Sequence, residues 1–129
     1  MIISSSVTLK KEVLQWKLRW EDKWMEVINY PKGIQPFITA SYWTIHTQFY
    51  KDIVDADIFF LMNEDNKGIE GYIWMSVFAE LCFAIIQNTL YKQNKKIFLL
   101  KPPSFQVWCY EELMLWHELW RIQIGLPDL

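Results

Sequence analysis

The chain predicts a single doubly wound α/β domain with a mainly parallel, five-stranded sheet, and three observations predict it. Two continuously apolar runs, Ile58-Phe59-Phe60-Leu61-Met62 and Ile97-Phe98-Leu99-Leu100, read as strands covered on both faces. Segments with helical spacing alternate with the strand-like runs, as in βαβ units wound with right-handed crossovers. A length of 129 residues with 52% hydrophobic side chains suits one domain, residues 1–129, with a real core.

The elements follow in order. Ile2-Ile3-Ser4-Ser5-Ser6 reads as a short strand running into a serine turn. From Leu9 to Met25, Val13, Trp16, Trp20 and Trp24 recur at three- and four-residue spacing, which predicts a helix with Thr8 as N-cap. Glu26 to Tyr30 predicts a second short strand, ended by Pro31 and Gly33. Gln35 to Trp43 predicts a loop, and Thr44 to Val54 a short helix. Asp57 to Asn63 is the buried central strand. A long helix is expected to begin near Tyr72 or Ile73 and to carry Glu80. Lys96 to Leu100 predicts the next buried strand, stopped by Pro102-Pro103. Tyr110 to Leu119 reads as helix and Arg121 to Ile124 as a last short strand.

Composition excludes several functions. A net charge of −2 with no basic stripe speaks against nucleic acid. The cluster Lys92-Gln93-Asn94-Lys95-Lys96 reads as a solvated turn. Cys82 and Cys109 make no disulfide framework and suit a reduced, cytoplasmic setting. The N-terminus carries no secretory pattern. Tyr72 to Ile86 is apolar but too short for a membrane span, and Glu80 interrupts it. Neither a glycine-rich dinucleotide fingerprint nor a P-loop occurs, so no cofactor is expected. Cys109, Glu111, Glu112, His117 and Glu118 hold metal-capable atoms at no ligand spacing, so no metal is expected either. Eight tryptophans, and a Glu80 helix apolar around most of its circumference, predict a homodimer or higher homo-oligomer.

Three places attract attention as sites. Glu80 is the one acid in GYIWMSVFAELCFAIIQNTLY, and a carboxylate there is costly to desolvate unless paired, hydrogen-bonded or neutral. Its side chain leans back toward the helix N-terminus, the end that faces the ligand crevice of open α/β sheets. Ser76, four residues earlier, shares its face. The turn Ser4-Ser5-Ser6 offers hydroxyls and backbone N–H groups to an anion. The loop from Asn63 to Gly68 ends the central strand, where Asn63, Glu64 and Asp65 suit a sugar hydroxyl, a metal or ordinary turn chemistry.

Four blocks carry a family likeness: Ile2 to Ser6 with its helix; Asp55-Ala56-Asp57-Ile58 with Asn63 through Ile73; Phe78-Ala79-Glu80-Leu81-Cys82-Phe83-Ala84; and Lys95-Lys96-Ile97-Phe98-Leu99-Leu100. Together they resemble the nucleoside 2-deoxyribosyltransferase-like family, in particular its small members of unassigned function. The resemblance implies a flavodoxin-like fold and chemistry at an N-glycosidic bond. It implies Glu80 as the nucleophile that attacks the anomeric carbon, giving a glycosyl-enzyme that a second base or water resolves. For that role Glu80 has to be ionised, with Ser76, Tyr72 or a partner-subunit group hydrogen-bonding its carboxylate. Ser4, Ser5 and Ser6 would approach phosphate or pentose, Asn63 and Ser76 would position sugar or carboxylate, and Gly71, Tyr72 and Trp74 complete the expected substrate-binding set. Trp74 stands where catalytic relatives carry an acid, and Asn63 where an aspartate is common. Three readings follow: a nucleoside- or nucleotide-binding protein acting at the N-glycosidic bond, a non-catalytic ligand-binding or structural dimer of the same fold, and last a nicotinamide-releasing hydrolase of the Toll/interleukin-receptor-like type, which also uses a helix glutamate but whose usual loop patterns are not evident.

Overall fold

The computed structural model of the chain describes residues 1–32 and 39–127. Strand β1 (Ile2–Ser4) leads through a 3-10 turn (Val7–Leu9) into helix α1 (Lys10–Glu21). Helix α2 (Thr39–Asp55), strand β2 (Ile58–Leu61), helix α3 (Met75–Leu90) and strand β3 (Lys96–Leu99) follow, then helix α4 (Tyr110–Glu118) and strand β4 (Gln123–Ile124). The sheet is wholly parallel with four strands in the order β1-β2-β3-β4.

Among the described residues four strands stand where five were expected. The Glu26–Tyr30 segment meets β1 through one parallel bridge between Asn29 and Ile2, with hydrogen bonds from Ile28 N to Met1 O and Ile3 N to Asn29 O. Ladder pairing stops there. Asn29 turns its side chain to Asp52 on α2 (2.6 Å) and to the backbone N–H of Tyr30 (2.8 Å). The bridge still matters for topology, because Ile2 pairs with Asn29 on one edge of β1 and with Phe59 on the other. The chain thus reverses direction across the sheet at β1, and its carboxyl end is the switch point where open α/β sheets form a crevice.

Alternation along the strands divides the core. Ile2, Phe59, Leu61, Ile97 and Leu99 pack with Phe49 and Ile53 of α2, Val77, Leu81 and Ala84 of α3 and Leu113 of α4. Ile3, Phe60, Met62 and Phe98 point the other way, onto Val13 and Trp20 of α1. One helix covers that second face because its tryptophans are wide: Trp20 meets Phe60 at 5.3 Å and Phe98 at 5.7 Å, both edge-on. Such pairs add to the burial of apolar area itself.

Several boundaries differ from expectation for local reasons. Helix α1 ends at Glu21, and Trp24 beyond it takes a left-handed backbone (φ 66°). Ser6 rather than Thr8 provides the cap, accepting from Thr8 N at 3.2 Å and opening the 3-10 turn. Helix α2 begins at Thr39, so Thr39 to Trp43 is helix where a loop was expected, while residues 35–38 lie outside the described residues. Helix α3 begins at Met75, later than Tyr72 or Ile73. Lys95 is no solvated turn residue: it is buried, and its ammonium donates to the carbonyls of Val54 (2.7 Å) and Ala56 (2.6 Å) at the end of α2. Among the described residues no helix is long and apolar enough to cross a membrane.

Candidate functional site

Val77, Leu81 and Ala84 anchor α3 on the sheet, and Glu80 between them is carried into the interior, 6% exposed. Its side chain runs back along the helix to the carboxyl end of β1, where Ser4 Oγ donates to Oε1 at 3.5 Å. That contact is long for an O–H to carboxylate bond. None of the three ion pairs among the described residues includes Glu80. Burial pushes its pKa from 4.5 up to about 8, and the Ser4 hydroxyl opposes that only in part. At neutral pH the group is a protonated acid, able to donate a hydrogen bond or a proton. The ionised state required of a nucleophile lies above pH 8 in this environment.

Tyr50 of α2 was missed in the sequence. Its phenol is held above its usual pKa by burial and next by the Glu80 carboxyl, which places the two groups within electrostatic reach. The available signal was the ladder Tyr42, His46, Tyr50 at four-residue intervals, with rings 4.2 Å and 6.5 Å apart.

The serine turn divides by role. Ser4 faces Glu80; Ser5 Oγ donates to Met62 O at 3.1 Å; Ser6 caps Thr8 N and shares a 2.9 Å hydroxyl contact with Thr8 Oγ1. Asn63 is also fully engaged by the backbone. Its Nδ2 donates to Gly71 O (3.3 Å) and Lys101 O (2.8 Å), and its Oδ1 accepts from Lys101 N (3.2 Å). Gly71 closes this clamp with φ +64°, and a Cβ there would lie 2.7 Å from Pro102 O and Pro103 Cα. Asp65 accepts from Gly71 N at 3.1 Å and from the Lys101 ammonium at 3.0 Å, and both hold its carboxyl below the usual range. Trp16 Nε1 reaches Glu64 at 3.1 Å, tying α1 to the same loop. These groups stitch the loops after β2 and β3 together, and no cluster of metal-binding side chains occurs among the described residues.

At the start of α3 the surroundings are aromatic. Tyr72 and Trp74 meet edge-on at 5.1 Å, and Trp108 donates its indole N–H to Ile73 O at 2.8 Å. Trp74 is half-buried, and its indole N–H is buried without a partner among the described residues. Ser76 and Met75 are exposed. Ser4, and neither Ser76 nor Tyr72, meets the Glu80 carboxyl. The structure therefore brings Ser4 and Glu80 together, sets Tyr72 and Trp74 side by side, and holds Ser5, Ser6, Asn63 and Gly71 in loop contacts.

Two clefts do not have Glu80 in their lining. One, of about 410 Å³, opens at the amino ends of β3 and β4; the other, about 380 Å³, lies between α2 and α3 along Trp43, Tyr50, Val54 and Phe83.

No protein-family model matches the chain, and neither does any curated protein or solved structure. The likeness to the deoxyribosyltransferase-like family rests on its motifs alone.

Proposed function

We propose that the protein binds a nucleoside or nucleotide in the crevice at the carboxyl ends of β1 and β2, with Glu80 beneath the sugar, and acts at the N-glycosidic bond. One observation carries this reading: a buried acid with no cationic partner among the described residues faces Ser4 at the switch point of the sheet. The flavodoxin-like assignment belongs to the same proposal and is supported by the strand order once the Asn29 bridge is counted. The unpartnered Trp74 N–H and the Tyr72 ring supply a donor and a stacking edge for a base.

For cleavage, Glu80 first loses its proton; its carboxylate oxygen bonds to the anomeric carbon, and the C–N electron pair leaves with the base. Solvent protonates the departing nitrogen, because Trp74 carries no acidic proton at the place of the missing acid. Water then takes the sugar and restores the carboxylate. The rate should rise with pH through about 8, as the carboxylate fraction grows.

The second reading, a non-catalytic member of the same fold, is favoured by the neutral state of Glu80 and by the loop bonds that occupy Asn63 and Gly71. The expected homo-oligomer belongs to either reading, with the exposed Trp43, Val54, Ile86 and Leu90 of α2 and α3 as the apolar face for a second copy.

Chromatographic assay of free base from ribo- and deoxyribonucleosides, their 5′-monophosphates and NAD, at pH 6 to 9, separates the two. Release that grows with pH and vanishes in Glu80→Gln supports the catalytic reading. Silence across the panel from folded protein supports binding alone.

A further inference from the structure

The amino ends of β3 and β4 are built differently. The cleft of about 410 Å³ there has a floor that includes Ile85 and Ile97. Among the described residues the Lys and Arg side chains lining it are Lys95, Lys96 and Arg121, with no Asp or Glu. Lys95 is committed to the α2 carbonyls, whereas Lys96 and Arg121 are exposed and take part in none of the ion pairs of the described residues. In a chain of net charge −2, two cations without an ion-pair partner among the described residues at one cleft form a local attraction for an anion.

Trp120 stands at the mouth. It follows the end of α4 with φ 58°, and Arg121 N closes the helix end by donating to Trp116 O at 2.8 Å. Helix ends of this form favour glycine, since a side chain in the left-handed region costs about 1–2 kcal/mol. At 90% exposed, the indole recovers almost none of that by burial. A large flat ring is thus displayed at a strained position beside two cations. Gln93, also lining the cleft, has a buried side-chain oxygen with no partner among the described residues. Buried polar groups left unsatisfied in the free protein call for an explanation, and a bound group is one.

We propose that this cleft is a second ligand site, distinct from Glu80, for a planar aromatic ring that carries an anionic group. The ring stacks on Trp120, the anion lies between Lys96 and Arg121, and the Gln93 amide meets a polar edge of the ligand. The site lies at the opposite end of the sheet from Ser4 and is independent of the reading given to Glu80.

The test is titration followed through the tryptophan indole N–H signals in ¹H–¹⁵N spectra, with Trp120 assigned by Trp120→Phe. The probes are adenosine 5′-monophosphate (a phosphate) and indole-3-acetate (a carboxylate), with adenosine and inorganic phosphate as the separate halves. The expected result is a saturable shift of Trp120 with at least one of the two charged probes. Which one produces it distinguishes phosphate from carboxylate. Affinity should fall about tenfold in Arg121→Gln and in Lys96→Gln, the loss of one charge-assisted hydrogen bond each. It should be unchanged in Glu80→Gln. Trp24, 96% exposed with φ 66° at the end of α1 and outside this cleft, is the internal control and should stay still. Absence of saturation with both charged probes, equal affinity for adenosine, movement of Trp24 in parallel, or indifference to both charge substitutions would each overturn the proposal.

Discussion

The two ends of the sheet differ in how many of their charged groups are bonded to the protein itself. At the carboxyl end, Asn63, Asp65, Lys101, Ser5 and Ser6 bond to one another or to nearby backbone, and a single neutral acid is left facing one serine. At the amino end Lys95, Asn88 and Thr89 are tied to backbone, while Lys96, Arg121 and Trp120 are exposed around a cleft. The first arrangement fixes loop geometry and isolates one titratable group. The second leaves charge and a ring available to solvent. Which residues are polar distinguishes the ends less than whether the backbone has already claimed them.

Substitutions break or sharpen this contrast, beginning with Glu80. The folded chain keeps the Glu80 proton up to about pH 8, whereas the carboxyl ordinarily releases it near 4.5. The stabilising contribution of the neutral acid is complete below pH 4.5, declines as pH rises and is gone above 8. Denaturant titrations should show wild type losing about 1.4 kcal/mol per pH unit within that window relative to Glu80→Gln. Parallel profiles for the two proteins would refute the neutral buried acid.

Gly71→Ala comes next. Its Cβ would press on the Pro102–Pro103 backbone at 2.7 Å, with φ already +64°. The expected loss is about 2–4 kcal/mol. Gly68→Ala is the comparison, with φ +74° and open space around it, and should lose only about 1 kcal/mol. Equal losses at the two positions would mean that the clamp with Asn63 yields easily. At the other end, Lys95→Met leaves the carbonyls of Val54 and Ala56 without their donor, and a loss of about 2 kcal/mol in urea unfolding is expected.

Trp120→Gly should move stability the other way, by about 0.5–1 kcal/mol, because glycine suits the left-handed helix end and little burial is lost. The same variant should lose the proposed ring ligand. A gain in stability with a loss of binding would identify a residue retained for recognition. Smallest of all, Lys101→Ala removes partly exposed pairs with Asp65 and Glu64, and should cost about 0.5 kcal/mol or less, most of it screened by salt.

Much of the fold was legible because its signals are local. Ile58 to Met62 and Ile97 to Leu100 are continuously apolar, and they form β2 and β3 with their immediate flanks, buried between helices on both faces. Glu80 was legible as the lone acid of an apolar helix, and Ser4 as the end of an apolar strand. Other features escaped. Nothing in Lys92 to Lys96 marks Lys95 as the buried one of its group, since its partners Val54 and Ala56 lie about 40 residues earlier. Asn63 suited a ligand contact or a turn equally well until Lys101 and Gly71 were seen beside it. The Glu26–Tyr30 segment has strand-like residues, yet its single bridge depends on how Asn29 divides its bonds between β1 and Asp52.

The inner strands, the helix that carries Glu80 and its single acid were thus readable from the chain, because side-chain period and hydrophobic run length depend on neighbours a few residues away. Strand number, the protonation of Glu80 and the division of polar groups between structure and solvent needed the folded molecule. Each depends on desolvation and on hydrogen-bond partners supplied by segments far apart along the chain, and no local pattern encodes them.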